Sequence, residues 1–381
     1  MSPGGADAGV PLIDLGAQYA AIASDLEAAV LDVLRSQRYV LGERVTAFER
    51  RTAEYLRVRH AIGVASGSDA LLLALLALDL RPGDEVVTSP FSFFATAAAI
   101  VRAGATPVFA DIDPRSFNLD PAAAARAVTR RTRALLPVHL FGRCVDFAAF
   151  DALAREHRLP IVEDAAQAIG AERNGVRAGA WGDLACFSFY PTKNLGGAGD
   201  GGLVSTGDEG LAERVRRLRV HGESSAYRHE ELGINSRLDA LQAAVLSVKL
   251  RSVDAWNQAR RARAARYAEL FSAAGLDEVL ALPATLEAAA DPGHVFHLYV
   301  VRAPHRDELK AHLDARGIGA GVYYPIPLHL QPCFAGLGYR RGDLQEAERA
   351  AEEVLALPVY PELTVGQQER VVATVRSFYR P

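Results

Sequence analysis

The chain has 381 residues, half of them hydrophobic and 23% charged, with a formal net charge of −4 at pH 7. That length holds two or three units of roughly 100–200 residues, and the charge gives no electrostatic reason to expect nucleic acid or an anionic membrane as the main partner, so an anionic ligand must be held by local groups. Cys144, Cys186 and Cys333 are odd in number and far apart, which excludes a disulfide framework and a zinc-ligand cluster and fits a reducing cytosol.

In chain order, Met1–Gly9 is short, polar and Gly/Ala-rich, unlike a signal peptide with its basic start and apolar run. A strand is expected over Ala61–Ala65, followed by Ser66-Gly67-Ser68-Asp69 opening a helix over Ala70–Leu78. Glycine lets the backbone approach closely, and free N–H groups of a first helical turn favour phosphate, although taken alone the residues read first as an ordinary helix cap by Ser66 or Ser68. The longest apolar run, Leu71–Leu80, is about half of what a membrane span needs. The protein therefore reads as soluble and cytoplasmic.

Further strands follow at Glu85–Thr88, Thr106–Asp111, Ala134–His139 and Pro160–Asp164, with a helix over Phe147–His157. Asp164 stands where an apolar run delivers an acid at a strand end; it can hold a protonated pyridine nitrogen, or simply cap a turn. Beyond a strand at Ala185–Phe189 lies Tyr190-Pro191-Thr192-Lys193-Asn194-Leu195-Gly196-Gly197. A lysine on such a glycine-flanked turn can be desolvated, which lowers its pKa and leaves the free amine needed for imine formation, whereas most lysines are solvated surface charges. A strand over Gly202–Ser205 completes this series. Gly233-Ile234-Asn235-Ser236-Arg237-Leu238-Asp239 then opens a helix with apolar residues at 238, 241, 245 and 248, its Asn and Arg suited either to phosphate or to bracing the helix.

From there the reading is a helix over Arg251–Phe271, a strand over His297–Ala303, a helix over Arg306–Ala315, a strand over Val322–Pro325 and a helix over Leu344–Ala356. The repeated alternation of strand and helix up to about residue 220 predicts an α/β fold, a mostly parallel sheet with helices on both faces. Residues 1–250 are expected to form this large unit and 251–381 a smaller α+β one. In such sheets ligands sit beyond the carboxyl ends of the strands, where the polar motifs above fall.

Together these segments, with Pro11-Leu12-Ile13-Asp14, Pro137-Val138-His139-Leu140-Phe141-Gly142 and Tyr324-Pro325-Ile326-Pro327-Leu328-His329, resemble the DegT/DnrJ/EryC1/StrS sugar aminotransferases. The resemblance spans nearly the whole chain. It implies fold type I of the pyridoxal 5'-phosphate (PLP) enzymes, with Lys193 as the Schiff-base lysine, Asp164 as partner of the pyridine nitrogen and Gln167 beside the ring's phenolic oxygen. Ser188, Gly67, Ser68 and Asp69 match the phosphate cradle, Phe93 an aromatic stacked on the ring, and Asn235 and Arg237 residues that reach the neighbouring subunit's phosphate. A homodimer with shared sites is implied, and no metal.

Ile234 and Ser68 stand where many relatives carry tyrosine and threonine. Lys193 matters more, since dehydratase relatives carry histidine there, and its presence favours transamination. The string around Lys193 is most similar to relatives that aminate C3 of a dTDP-3-keto-6-deoxyhexose, with L-glutamate as donor. A C4 aminotransferase on a UDP- or dTDP-sugar, a keto-cyclitol aminotransferase and a non-catalytic PLP-binding sensor are the alternatives. Tyr190, Tyr324, His329 and His139 are candidates to face the substrate, Tyr324 and His329 being equally open to an ordinary packing or surface role, while His139 and His221, at the pocket edge, read first as structural residues.

Overall fold

A computed structural model describes residues 9–283 and 291–380; nearly all of the segment Met1–Gly9, read above as unlike a signal peptide, lies outside them. Seven strands form the central layer: β1 (His60–Val64), β2 (Glu85–Thr88), β3 (Thr106–Phe109), β4 (Thr132–Leu136), β5 (Val162–Asp164), β6 (Leu184–Ser188) and β7 (Gly202–Thr206). Their order is β1-β7-β6-β5 followed by β4-β2-β3, the two runs being joined by parallel bridges Leu135–Ile161 and Val138–Asp164. Only β7 runs against its neighbours β1 and β6; the pairs β5–β6, β2–β3 and β2–β4 are parallel. Each strand lies within a few residues of its expected place.

This topology brings the carboxyl ends of β1, β5 and β6 to one edge of the sheet. Asp164 and Ser188 are the last residues of their strands, and Ser66 follows β1 by two. Behind that edge sits the helix Gly67–Ala77, whose residues Ala70–Leu75 and Ala77 are all buried. A helix that is apolar all round has no solvent face to offer and packs inside the molecule, here against β6, β7 and the helix Ala95–Arg102. Its amino end is thus fixed by core packing, each buried leucine contributing about 1.5–3 kcal/mol.

Beyond the sheet, the helix Val253–Ala273 leads to a two-stranded antiparallel ribbon, β8 (Tyr299–Arg302) with β9 (Val354–Leu357). The helices Arg306–Asp314 and Val365–Tyr379 pack beside it, the latter opened by a capping box between Thr364 and Gln367. Two expectations fail in this region. Val322–Pro325 is not a strand: Gly321 makes one bridge to Ala356, after which Pro325 and Pro327, lacking N–H groups, take the chain out of any ladder. The helix expected over Leu344–Ala356 stops at Glu353, because Val354–Leu357 is taken into pairing with β8.

Candidate active site

The glycine turn after β1 and the end of β6 meet at van der Waals distance. A Cβ on Gly67 would stand 2.6 Å from Cβ of Ser188, and one on Gly202 would run into the Ser66 carbonyl. Only glycine allows this approach of backbones. Ser66 Oγ accepts from Asp69 N at 3.1 Å and caps the helix, so the serine side chain consumed by capping is Ser66, while Ser68 makes no such bond. What remains is a turn whose leading N–H groups face outward at the positive end of a buried helix, beside the hydroxyl of Ser188.

Asp164 is buried, 5% exposed. Thr96 donates its hydroxyl to Asp164 Oδ2 at 2.8 Å, and Ala166 N donates to Oδ1 at 3.2 Å. Because Thr96 has given its only proton, Ser92 must be the donor in the 2.8 Å contact between the two hydroxyls. Burial pushes the Asp164 carboxyl above its ordinary range, partly opposed by Thr96, the Ala166 amide and Lys193. A buried carboxylate with two donors and no ion pair among the described residues suits a cationic N–H, as a protonated pyridine offers.

Lys193 is half-buried by surface but enclosed around its amine, and desolvation lowers its pKa to about 8, opposed by Asp164. It is one of only three lysines in the chain, with Lys249 and Lys310. Gln167 Oε1 accepts from Phe141 N at 2.6 Å and its amide donates to the Tyr324 hydroxyl at 3.1 Å, so the orientation of the amide is fixed with its nitrogen towards Tyr324. Burial raises the Tyr324 phenol well above its ordinary pKa. Phe93 is 56% exposed, its ring centre 6.2 Å from that of Tyr324, and Tyr190 is 54% exposed.

The glycine turn, the strand-end carboxylate, the desolvated amine and an exposed aromatic face therefore share one edge of the sheet. Together they can hold a flat cationic ring with an anionic tail and offer it a free amine. Asn235 is exposed and Arg237 half-buried, and neither side chain has a hydrogen bond or ion pair among the described residues.

Two histidines expected near the substrate are turned away from it. His139 is fully buried: Nε2 donates to Glu163 Oε2 at 2.8 Å, Nδ1 accepts from Val145 N at 3.2 Å, and the ring packs on Phe147 and Trp181. His329 is 2% exposed, its Nε2 on Glu348 Oε1 at 3.0 Å and its ring edge against Tyr339. In both places a short turn rotates the side chain inward, towards a buried acid. His221 is exposed, at a residue of positive φ. Thr96 is a site residue that sequence reasoning passes over, although it lies in the same segment as Phe93; nothing local shows that its hydroxyl reaches 68 positions along to Asp164.

Residues 20–376 match the DegT/DnrJ/EryC1/StrS aminotransferase family. A Geobacillus stearothermophilus protein named pleiotropic regulatory protein is 50% identical over 97% of this chain and 99% of its own length. The dTDP-3-amino-3,4,6-trideoxy-alpha-D-glucose transaminase of Streptomyces venezuelae is 48% identical over 97% and 96%. The crystal structure of S. venezuelae DesV in complex with a ketimine intermediate superposes with a TM-score of 0.93 at 46% identity, covering 98% of this chain and 99% of DesV.

Proposed function

This chain belongs to the DegT/DnrJ/EryC1/StrS aminotransferase family, and from that premise we propose that it moves an amino group from L-glutamate to C3 of a dTDP-linked 3-keto-6-deoxyhexose. The observation that carries the reading is the burial of one amine and one carboxylate, Lys193 and Asp164, beside a glycine turn at the carboxyl edge of the sheet. The C3 position is supported by the S. venezuelae transaminase, similar along nearly its whole length; nothing in the site favours C4, a cyclitol or a sensor role.

PLP, when bound, supplies an electron sink for a substrate carbanion and carries the amino group between the two half-reactions. The residues that fit it are the turn Gly67-Ser68-Asp69 and Ser188 for the phosphate, Asp164 for the ring nitrogen, Gln167 for the phenolic oxygen, Phe93 for the ring face and Lys193 for the carbonyl carbon. Asp164, to which Thr96 and the Ala166 amide donate, would offer its carboxylate to the ring nitrogen. With a pKa of about 8, Lys193 is partly neutral at physiological pH, so Nζ can act as nucleophile and then as base, taking the proton from the donor's α-carbon and handling the proton at the sugar carbon in the return half. Gln167, tied to Phe141 and Tyr324, orients without exchanging protons. Two half-reactions on one protein predict ping-pong kinetics.

The functional unit in this proposal is a homodimer in which Asn235 and Arg237 complete the partner's phosphate site. Support comes from their side chains, unpaired among the described residues, and from Tyr227 and Leu232, 95% and 96% exposed, in the segment that precedes them. No described helix is long and apolar enough to cross a membrane, and we place the reaction in the cytoplasm with its nucleotide substrate. The test is incubation of the PLP-loaded protein with L-glutamate and a dTDP-3-keto-6-deoxyhexose. Matched formation of 2-oxoglutarate and amino sugar, absent in Lys193→Ala, is expected; turnover only with a 4-keto sugar or a keto-cyclitol overturns the C3 assignment.

A further inference from the structure

The turn that carries Lys193 is closed by two backbone bonds of its own, Lys193 N to the Tyr190 carbonyl at 2.8 Å and Gly197 N to the Phe189 carbonyl at 2.7 Å. Among the described residues, the hydrogen bonds that join residues 191–196 to elements beyond the turn all come from one side chain, that of Asn194, which is 3% exposed. Asn194 Nδ2 donates to Asn257 Oδ1 at 2.7 Å and to the Val295 carbonyl at 3.1 Å. With the nitrogen so placed, Asn194 Oδ1 is the acceptor in its 3.2 Å contact with His297 Nδ1.

Those partners are themselves held. Asn257, buried on the helix Val253–Ala273, donates its own amide to the Ile169 carbonyl at 2.9 Å, two residues past Gln167 and five past Asp164. From the same helix, Arg260 bonds the Phe296 and Val359 carbonyls at 3.1 and 2.8 Å and so fixes the stretch between Val295 and His297. Val295 N donates to the Gly142 carbonyl at 2.9 Å, next to Phe141, whose amide donates to Gln167. The anchors of the Lys193 turn therefore lead back to the segment that carries Asp164 and Gln167, through buried amides with which water does not compete.

Resting on the reading of Lys193 as the cofactor-anchoring amine, we propose that Asn194 is a positioning residue: its side chain ties the Lys193 turn, through Asn257 and Val295, to the Asp164–Gln167 segment, so that the amine and the groups that hold the ring keep one fixed spacing. Asn194 acts through the backbone of its neighbour. Its effect falls on the steps in which Nζ must reach a set carbon, where a misplacement of about 1 Å costs on the order of a hundredfold. Binding of the donor acid, which does not depend on the reach of Nζ, is spared.

The experiment mixes PLP-loaded protein with L-glutamate and follows the loss of the visible band of the lysine-bound cofactor in wild type, Asn194→Ala, Asn257→Ala and the double variant. Asn194→Ala should slow the reaction at saturating glutamate about tenfold to a hundredfold, with the glutamate concentration for half-maximal rate within about twofold of wild type. Asn257→Ala leaves Asn194 its Val295 and His297 bonds and should slow it about threefold to tenfold, the equivalent of one hydrogen bond. The double variant should match Asn194→Ala within about twofold, since both changes act through one tether. The visible circular dichroism of the bound cofactor should weaken in the same order.

An asparagine that only satisfies the core would lower thermal stability and leave the saturated rate and the dichroism at wild-type values. That result in Asn194→Ala overturns the proposal, as does a double variant whose loss is the product of the two single losses. Should Asn194→Ala not fold, Asn257→Ala decides alone by the same readings. No visible band in the wild type, or one unchanged in Lys193→Ala, would instead remove the aminotransferase reading, so the two failures are distinct.

Discussion

Thr96→Val replaces a hydroxyl by a methyl of nearly the same size at the one described side chain that donates to Asp164. The carboxylate keeps the Ala166 amide at 3.2 Å and loses the 2.8 Å bond, while Ser92 loses its acceptor. A hydrogen bond to a charged group contributes roughly 1.5–3 kcal/mol, so the Asp164 pKa, already raised by burial, should climb by about one to two further units. The sign follows from proton binding. With its folded pKa above the unfolded one, Asp164 takes up a proton more readily in the native state, so its ionised form costs stability in full above the folded pKa and the cost fades as pH falls through that value towards the unfolded one. In apo-protein, urea unfolding should therefore show Thr96→Val destabilised by about 1.5–3 kcal/mol at pH 8 and by less at mildly acidic pH, with Thr96→Ser close to wild type. In the PLP-loaded enzyme the acid limb of kcat/KM should move to higher pH. A stability loss independent of pH, or an unmoved acid limb, would refute the view that Thr96 acts through the Asp164 charge.

Glu163 accepts four N–H donors, from Gly179, Trp181, Gly182 and His139, at 2.7–3.0 Å. Glu163→Gln sets an amide nitrogen against donors and should cost about 3–5 kcal/mol in urea unfolding, as loss of a buried charged partner does; a cost below about 1 kcal/mol would mean the cluster is not holding β5. Gly67→Ala forces a Cβ onto Ser188 and should weaken PLP binding roughly tenfold to a hundredfold by equilibrium titration, with little change in secondary structure. Lys193→Ala and Arg237→Ala should each be inactive alone, while a refolded mixture recovers about a quarter of wild-type turnover, since half the dimers then carry one intact site. No recovery on mixing would place Arg237 in its own subunit's site.

All seven strands of the central sheet were legible because each is a short apolar run closed by a turn, and a parallel sheet buries both faces of its strands. The same logic picked out Gly67, Asp164 and Lys193 as candidates, and the structure sets all three at the carboxyl edge of the sheet. Periodicity could not separate Val354–Leu357 from the helix before it, as its apolar residues suit either element until β8 offers a partner. It also could not show which way a side chain turns. His139 and His329 sit in motifs that border the site, yet each ring points to an acid on another element, Glu163 or Glu348. Thr96 and His297 lie 68 and 103 positions from the groups they meet, Asp164 and Asn194. The sequence by itself determined the sheet, its functional edge and the residue types that carry the chemistry, because these depend on local pattern. Tertiary structure alone decided the hydrogen-bond partners that fix charge, tautomer and direction at those residues, because such partners arrive from distant elements once the core has packed.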